Sequence, residues 1–348
     1  MNLFVPGRVC ILGEHSDWAA GFRTVNPDIE RGYALVCGTD QGLHARVARC
    51  DGSLRVRATT RTGDAPRTVE LAMERETLLG VAREGGFWSY LAGVAYCAMD
   101  EFGVGGVEID NFATDLPVGK GLSSSAAVCV LAARAFNRLY DLGLDVRGEM
   151  DLAYRGETTT PSRCGRLDQC CAFGDAPVLA TFDGDDLGVR QLEVGATFHF
   201  VVVDLAGKKD TVAILRALQT AYPSPADERH GDIHALLGAT NRRIVHAATG
   251  ALAAGDAATL GALMVEAQRE FDRAAVPACP QELTAPALHR VLDHPSVAEL
   301  AHGGKGMGSQ GDGAAQILAR GEQERREFIG LIERDLGMSA FALTLTRR

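Results

Sequence analysis

Basic residues are in deficit: 35 Lys and Arg against 45 Asp and Glu give the 348-residue chain a formal charge of −10. Polyanions are gripped by clustered cations that displace counterions, so this balance argues against nucleic acid or anionic membrane as partners, and any phosphate must be captured locally. No apolar run approaches the roughly 20 residues that cross a bilayer, and Met1-Asn2-Leu3-Phe4-Val5-Pro6 has neither the basic nor the apolar region of a secretion signal. The nine cysteines, an odd number, lack metal-type pairing. Their closest grouping, Cys164, Cys170 and Cys171, has no complementary Cys or His pair, so these thiols are expected to be buried and no metal is assigned to them. These absences point to a soluble protein of the reducing cytoplasm. The common phosphate-binding pattern GxxxxGK[ST] is also missing.

What is present suits an ordered protein: 46% hydrophobic and 23% charged residues. The length favours two domains, expected at 1–190 and 191–348. Short apolar or alternating runs at Gly32–Gly38, His44–Arg49, Leu54–Arg57 and Val69–Ala72 predict strands. Helical spacing follows over Phe87–Met99, then a strand near Val107–Ile109. Val128, Leu131, Ala132, Phe136 and Leu139 share one face of a helix over Ser124–Tyr140, and another helix covers Met150–Thr158. Thr197–Asp204 reads as a strand, 229–301 as mostly helical, and Phe341–Thr346 as a closing strand. The fold class is α+β, with helices covering sheets.

The most informative stretch is Leu116-Pro117-Val118-Gly119-Lys120-Gly121-Leu122-Ser123-Ser124-Ser125-Ala126-Ala127, which runs into a helix. Glycines let backbone approach a ligand closely, hydroxyls add donors, and the helix N-terminus offers free N–H groups and partial positive charge. An ordinary serine cap is the alternative, though one cap needs one serine. Near the N-terminus, Glu14, His15 and Asp17 cluster three hydrogen-bonding side chains at a strand end, suited to reading hydroxyls or simply to a polar turn. Gly306, Gly308 and Gly311 satisfy GxGxxG, but Val297–Ala301 reads as helix with no strand leading in, which argues against a dinucleotide site.

Three motifs together resemble the GHMP kinases, the superfamily of galactokinase and mevalonate kinase. Pro6-Gly7-Arg8-Val9-Cys10-Ile11-Leu12-Gly13-Glu14-His15-Ser16-Asp17-Trp18 is similar to the first galactokinase motif almost throughout. The 116–127 stretch resembles the second motif, and Gly303-Gly304-Lys305-Gly306-Met307-Gly308-Ser309-Gln310-Gly311-Asp312-Gly313, more loosely, the third. Cys164-Gly165-Arg166-Leu167-Asp168-Gln169 resembles the segment carrying the family's catalytic aspartate. The resemblance implies a two-lobed α+β fold of mixed and antiparallel sheets with the active site between lobes. It implies direct transfer of the γ-phosphoryl of ATP to a hydroxyl of a sugar or sugar-like small molecule, an anomeric hydroxyl being one candidate.

Residue by residue, it implies Asp168 and Arg8 as catalytic. Glu14, His15 and Asp17, with Gly165 and Arg166, would bind the acceptor. Pro117, Gly119, Lys120, Gly121, Leu122, Ser123, Ser124, Ser125, Ala126, Gly306 and Gly308 would bind ATP, and Ser125 with Glu157 would hold Mg²⁺. Trp18-Ala19-Ala20-Gly21 and the polar segment after it depart from galactokinase, and Arg166 replaces an apolar residue. With Arg163, Arg23, Lys208 and Lys209 nearby in this reading, an acidic or phosphorylated acceptor is the variant to test. Asp312 would sit poorly beside phosphate unless it turns outward or faces Mg²⁺. A mevalonate-type alcohol kinase and a non-catalytic sugar sensor are the competing functions.

Overall fold

The structure is a computed structural model that describes residues 1–59, 65–116, 122–162 and 164–347. In chain order the strands are β1 (Asn2–Leu12), β2 (Gly32–Cys50), β3 (Ser53–Ala58), β4 (Arg67–Ala72), β5 (Gly106–Thr114), β6 (Val178–Asp183), β7 (Asp186–Gln191), β8 (Phe198–Asp204), β9 (Ala301–Gly306), β10 (Ala314–Ala319) and β11 (Ser339–Leu345). The helices are α1 (Ser16–Gly21), α2 (Arg75–Glu84), α3 (Ser89–Phe102), α4 (Ser124–Tyr140), α5 (Val146–Thr158), α6 (Thr211–Gln219), α7 (Glu228–Ala235), α8 (Asn241–Ala254), α9 (Ala257–Ala275), α10 (Pro280–Leu283), α11 (Pro286–Leu292), α12 (Pro295–Leu300) and α13 (Glu322–Leu331). They form two compact units, Met1–Arg8 with Gly38–Asp175, and Val9–Cys37 with Ala176–Arg348. The division is therefore not a single cut near 190: β1 and β2 each run through it, and 9–37 belongs with the C-terminal half of the chain.

In the first unit β3 pairs antiparallel with β4 and parallel with β5, and β5 pairs antiparallel with the later part of β2, giving a mixed sheet. Leu54, Val56, Val107 and Ile109 bury the shared face. α4 is more deeply buried than its periodicity predicts. Beyond the Leu131, Ala132 and Phe136 stripe, Ala126, Ala127, Cys129, Val130, Ala133 and Ala135 are also enclosed, because a run of small residues lets neighbours close around nearly the whole helix. α3 and α5 meet at Gly93 and Gly156. A Cβ at Gly93 would lie 2.2 Å from the Gly156 carbonyl oxygen, so this approach admits only glycine.

In the second unit the first part of β2, Gly32–Val36, pairs antiparallel with β6, which pairs with β7. A separate antiparallel sheet runs β11-β8-β10-β9, with Val202 opposite both Gln316 and Phe341. Its apolar face, including Val201, Val203 and Ile317, packs with Leu288, Val291 and Phe328. A second core joins Ile214, Leu218, Ile233, Leu236 and Phe271, with Trp18 and Phe22 packed against it. Contrary to the sequence reading, a strand does lead into the third glycine-rich motif. β9 covers Ala301–Gly306, its glycines hiding the strand pattern. Those glycines serve packing: a Cβ on Gly303 would fall 2.3 Å from the Gly261 carbonyl oxygen on α9. The loop after β9 returns to strand β10, not to a helix, so the dinucleotide reading still fails.

Candidate active site

In the first unit the chemistry gathers around Asp168. The chain leaves Leu122, turns through Ser123 at φ 53°, and enters α4. The Leu122 carbonyl accepts the Arg8 backbone N–H at 2.9 Å, which fastens β1 to the start of the helix. The Arg8 guanidinium then pairs with Asp168 Oδ1, and the Ser123 hydroxyl donates to the same oxygen at 3.0 Å. Arg8 and Asp168, 160 residues apart, are thus brought together as the sequence reading expected. Among the described residues, Asp168 Oδ2 accepts no hydrogen bond.

Glu157, at the end of α5, is fully buried. Gln169 Nε2 donates to its Oε2 at 2.8 Å, Ser162 Oγ to its Oε1 at 3.2 Å, and the Ser125 hydroxyl bonds it as well. Burial, and after it the charge of Asp168, raises the Glu157 pKa, while the Ser125, Gln169 and Ser162 donors oppose the shift. All three donors are neutral, and among the described residues no cationic side chain pairs with this carboxylate. A buried carboxylate beside a hydroxyl offers two hard oxygens lacking a positive charge, which fits a small divalent cation completed by nucleotide phosphates. Among the described residues no group of three or more His, Cys, Asp or Glu could hold a metal ion.

Gly165 and Arg166 precede Asp168, and the Arg166 guanidinium lies 5.0 Å over the Tyr154 ring. Pro117, Gly119, Lys120 and Gly121 lie outside the described residues, as does Arg163. Leu122, Ser123, Ser124, Ser125 and Ala126 form the turn and first residues of α4.

In the second unit Gly13, Glu14 and His15 join β1 to α1. Glu14 Oε1 pairs with Lys305 Nζ at 2.5 Å, both side chains being under 10% exposed. Lys305 also donates to the Gly306 carbonyl at 2.7 Å, and the Gly306 N–H donates to Gln268 Oε1 on α9 at 2.7 Å. The first and third motifs are therefore joined by hydrogen bonds. His15 has a positive φ of 69°, a buried ring stacked on Phe271 at 5.9 Å, and Nδ1 accepting from Trp18 Nε1 at 3.0 Å. Burial, and then the charge of Lys209, lowers its pKa to about 4. Lys209 donates to the Gln310 carbonyl at 2.8 Å, and burial lowers its own pKa to about 8 against the opposing charge of Glu14. Asp17 lies in the first turn of α1.

Glu14, Lys305, Gln310 and Phe271 line a pocket of about 40 Å³ walled by Leu12, Leu236 and Ile244. The positive φ of Gly308 lets the third-motif loop turn. Asp312 turns away from that loop: its Oδ1 accepts the Leu288 N–H at 2.9 Å in the first turn of α11. Arg23, considered above for an anionic ligand, is committed to Asp183 and to the Pro27 and Ile29 carbonyls.

Residues 89–175 match the family described as GHMP kinases N terminal domain, a span that holds Ser123, Ser125, Glu157 and Asp168. A galactokinase of Roseiflexus sp. (strain RS-1) is 31% identical over 302 residues, covering 75% of this chain and 70% of that protein. The chain belongs to the GHMP kinases. The kinase also resembles a galactokinase of Streptomyces coelicolor, 36% identical over 194 residues, although that match spans only 45% of the relative and 54% of the kinase. In fold it is similar to Lactococcus lactis galactokinase complexed with galactose, with a TM-score of 0.75, 17% identity, and coverage of 99% of the kinase and 93% of that chain. Membership in this galactokinase-like group makes it an ATP-dependent phosphotransferase with an alcohol group as acceptor. Sequence reasoning missed Ser123 as a partner of Asp168, Gln169 as a donor to Glu157, and Lys305 as the partner of Glu14. An adjacent Asp168-Gln169 pair and a lone lysine among the six glycines of 303–313 were the available signals.

Proposed function

We propose that this kinase phosphorylates a hydroxyl of a sugar or sugar-like small molecule with MgATP. The observation that carries the reading is the convergence of Arg8 and Ser123 on one oxygen of Asp168. Their two donors, one of them cationic, fix the carboxylate and leave its second oxygen for an acceptor hydroxyl, which it would orient and deprotonate. Ser125 and Glu157 would hold the Mg²⁺ that supplies charge neutralisation at the phosphates, and the start of α4 would add N–H donors to them. Glu14, His15 and Asp17, with Gly165 and Arg166, would recognise the acceptor. The remaining 117–126 residues and Gly306 and Gly308 would contact ATP. Transfer would be direct and in line, with no enzyme-bound phosphoryl intermediate.

Galactose is the first acceptor to try, given the galactokinase relatives. The case for an anionic acceptor rests on Lys209, whose charge acts on His15, because Arg23 is already paired. ADP release from MgATP should be measured across neutral sugars, uronic acids, sugar phosphates, cyclitols and mevalonate, with Asp168→Asn as control. Turnover confined to sugars and abolished by the substitution supports the proposal. Turnover on mevalonate alone, or binding of ATP and sugar without ADP release, defeats it in favour of the alcohol kinase or the sensor.

A further inference from the structure

Trp18 stands in the first motif, where its indole meets the His15 ring. An indole N–H can only donate, so the ring atom 3.0 Å from it must be an unprotonated nitrogen. A flipped imidazole would set a carbon against that N–H and leave it unsatisfied. Burial and the charges of Lys209 and Lys305 disfavour the imidazolium, so the ring is neutral and its single proton sits on Nε2. That nitrogen is buried and, among the described residues, meets no hydrogen-bond partner of ordinary geometry, although the Ser309 backbone favours the ring proton.

The arrangement is clamped on both sides. Phe271 stacks on the imidazole at an interplanar angle of 17°, while Tyr222 and Phe22 meet the indole edge-on, with centroids 5.3 and 6.5 Å away. His15 also holds a left-handed backbone conformation that costs a non-glycine residue energy, as residues held for function often do. An unpaired buried donor is costly unless a ligand supplies the acceptor.

We propose that Trp18 is a positioning residue that locks His15 as the Nε2–H tautomer, so that His15 meets the acceptor substrate only as a hydrogen-bond donor. This rests on the reading of His15 as an acceptor-binding residue. It narrows that substrate: the atom facing His15 is an oxygen with a free lone pair, in a hydroxyl, a ring ether or a carbonyl, and never an ammonium or another donor-only group.

The test uses the full chain labelled with ¹⁵N-histidine, with His15 assigned by the signal lost in His15→Gln. Near neutral pH the wild-type Nδ1 should resonate as a bare, pyridine-like nitrogen and Nε2 as a protonated, pyrrole-like one. In Trp18→Phe, which keeps the aromatic packing and removes the N–H, the two signals should move toward a tautomer average. The same variant should raise the acceptor KM about 3- to 10-fold with the ATP KM unchanged, the size expected for one neutral hydrogen bond. A wild-type ring protonated at Nδ1 overturns the proposal without any variant. So does a tautomer, or an acceptor KM, that Trp18→Phe leaves unmoved. Absence of turnover on every acceptor would count against the kinase reading, while the nitrogen spectra would still decide the tautomer.

Discussion

Asp168 and Glu157 are two carboxylates in one unit whose surroundings differ in sign. Asp168 faces a guanidinium and is partly open, whereas Glu157 is enclosed among neutral donors. On the proposed reading the first would abstract the proton and the second would help to hold the cation. Replacing Asp168 with Asn should therefore lower kcat by about 10²- to 10⁴-fold, the range for loss of a general base, with little change in the ATP KM. A steady-state comparison of the two constants checks this. Glu14 and Lys305 form a different kind of pair, an ion pair shielded from water. Lys305→Ala should strand the Glu14 charge and cost about 3–5 kcal/mol in urea unfolding, whereas Glu14→Gln combined with Lys305→Met should recover most of that loss. Equal stability of the single and double variants would show that the pair is not energetically buried.

Helix α5 delivers Glu157 only because α3 can come close enough, through Gly93 and Gly156. Gly156→Ala would place a methyl 2.4 Å from a Val94 side-chain carbon and 2.6 Å from its Cα. Overpacking of this kind costs about 1–3 kcal/mol and should also push the adjacent Glu157 off its donors. The expected result is a lower thermal midpoint together with a higher Mg²⁺ requirement for turnover. A destabilised protein with an unchanged Mg²⁺ titration would detach the helix crossing from the proposed metal site.

Elements of this kind were legible in the sequence where period and composition agreed. The Ser124–Tyr140 helix, the Thr197–Asp204 strand and the pairing of Arg8 with Asp168 follow from pattern and motif. β9 was not legible, because glycines needed against α9 erase strand character, and the burial around α4 was understated because alanine carries little periodic signal. The bond from Trp18 to His15 depends on ring orientation, which spacing does not encode.

At the scale of the molecule, two basic groups, one buried and one half-buried, shape the response to pH. The His15 pKa is depressed from 6.5 to about 4, chiefly by burial, so the native state resists a proton that the unfolded chain accepts. Its contribution to stability is present above pH 6.5 and lost as pH falls toward about 4. Lys209, lowered from 10.5 to about 8, has the same sign in an alkaline window: stability rises between those values as the unfolded chain alone stays protonated. Urea midpoints measured across pH should slope upward in both windows, with the acid slope reduced in His15→Gln and the alkaline one in Lys209→Met. Curves that superimpose on wild type would show that these groups are solvated in the native protein.

The passage of β1 and β2 from one unit to the other also sets an order in time. A chain growing from its N-terminus has every residue of the first unit once Asp175 has been made. Val9–Cys37 has been made by then too, but β6, its strand partner, and Lys305, the counter-charge of Glu14, have not. The segment that carries Glu14, His15 and Asp17, proposed above to read the acceptor, is thus among the first synthesised and the last to be completed. A nascent chain arrested between the units would expose it, without β6 and without its counter-charge, to whatever chaperone or protease is at hand.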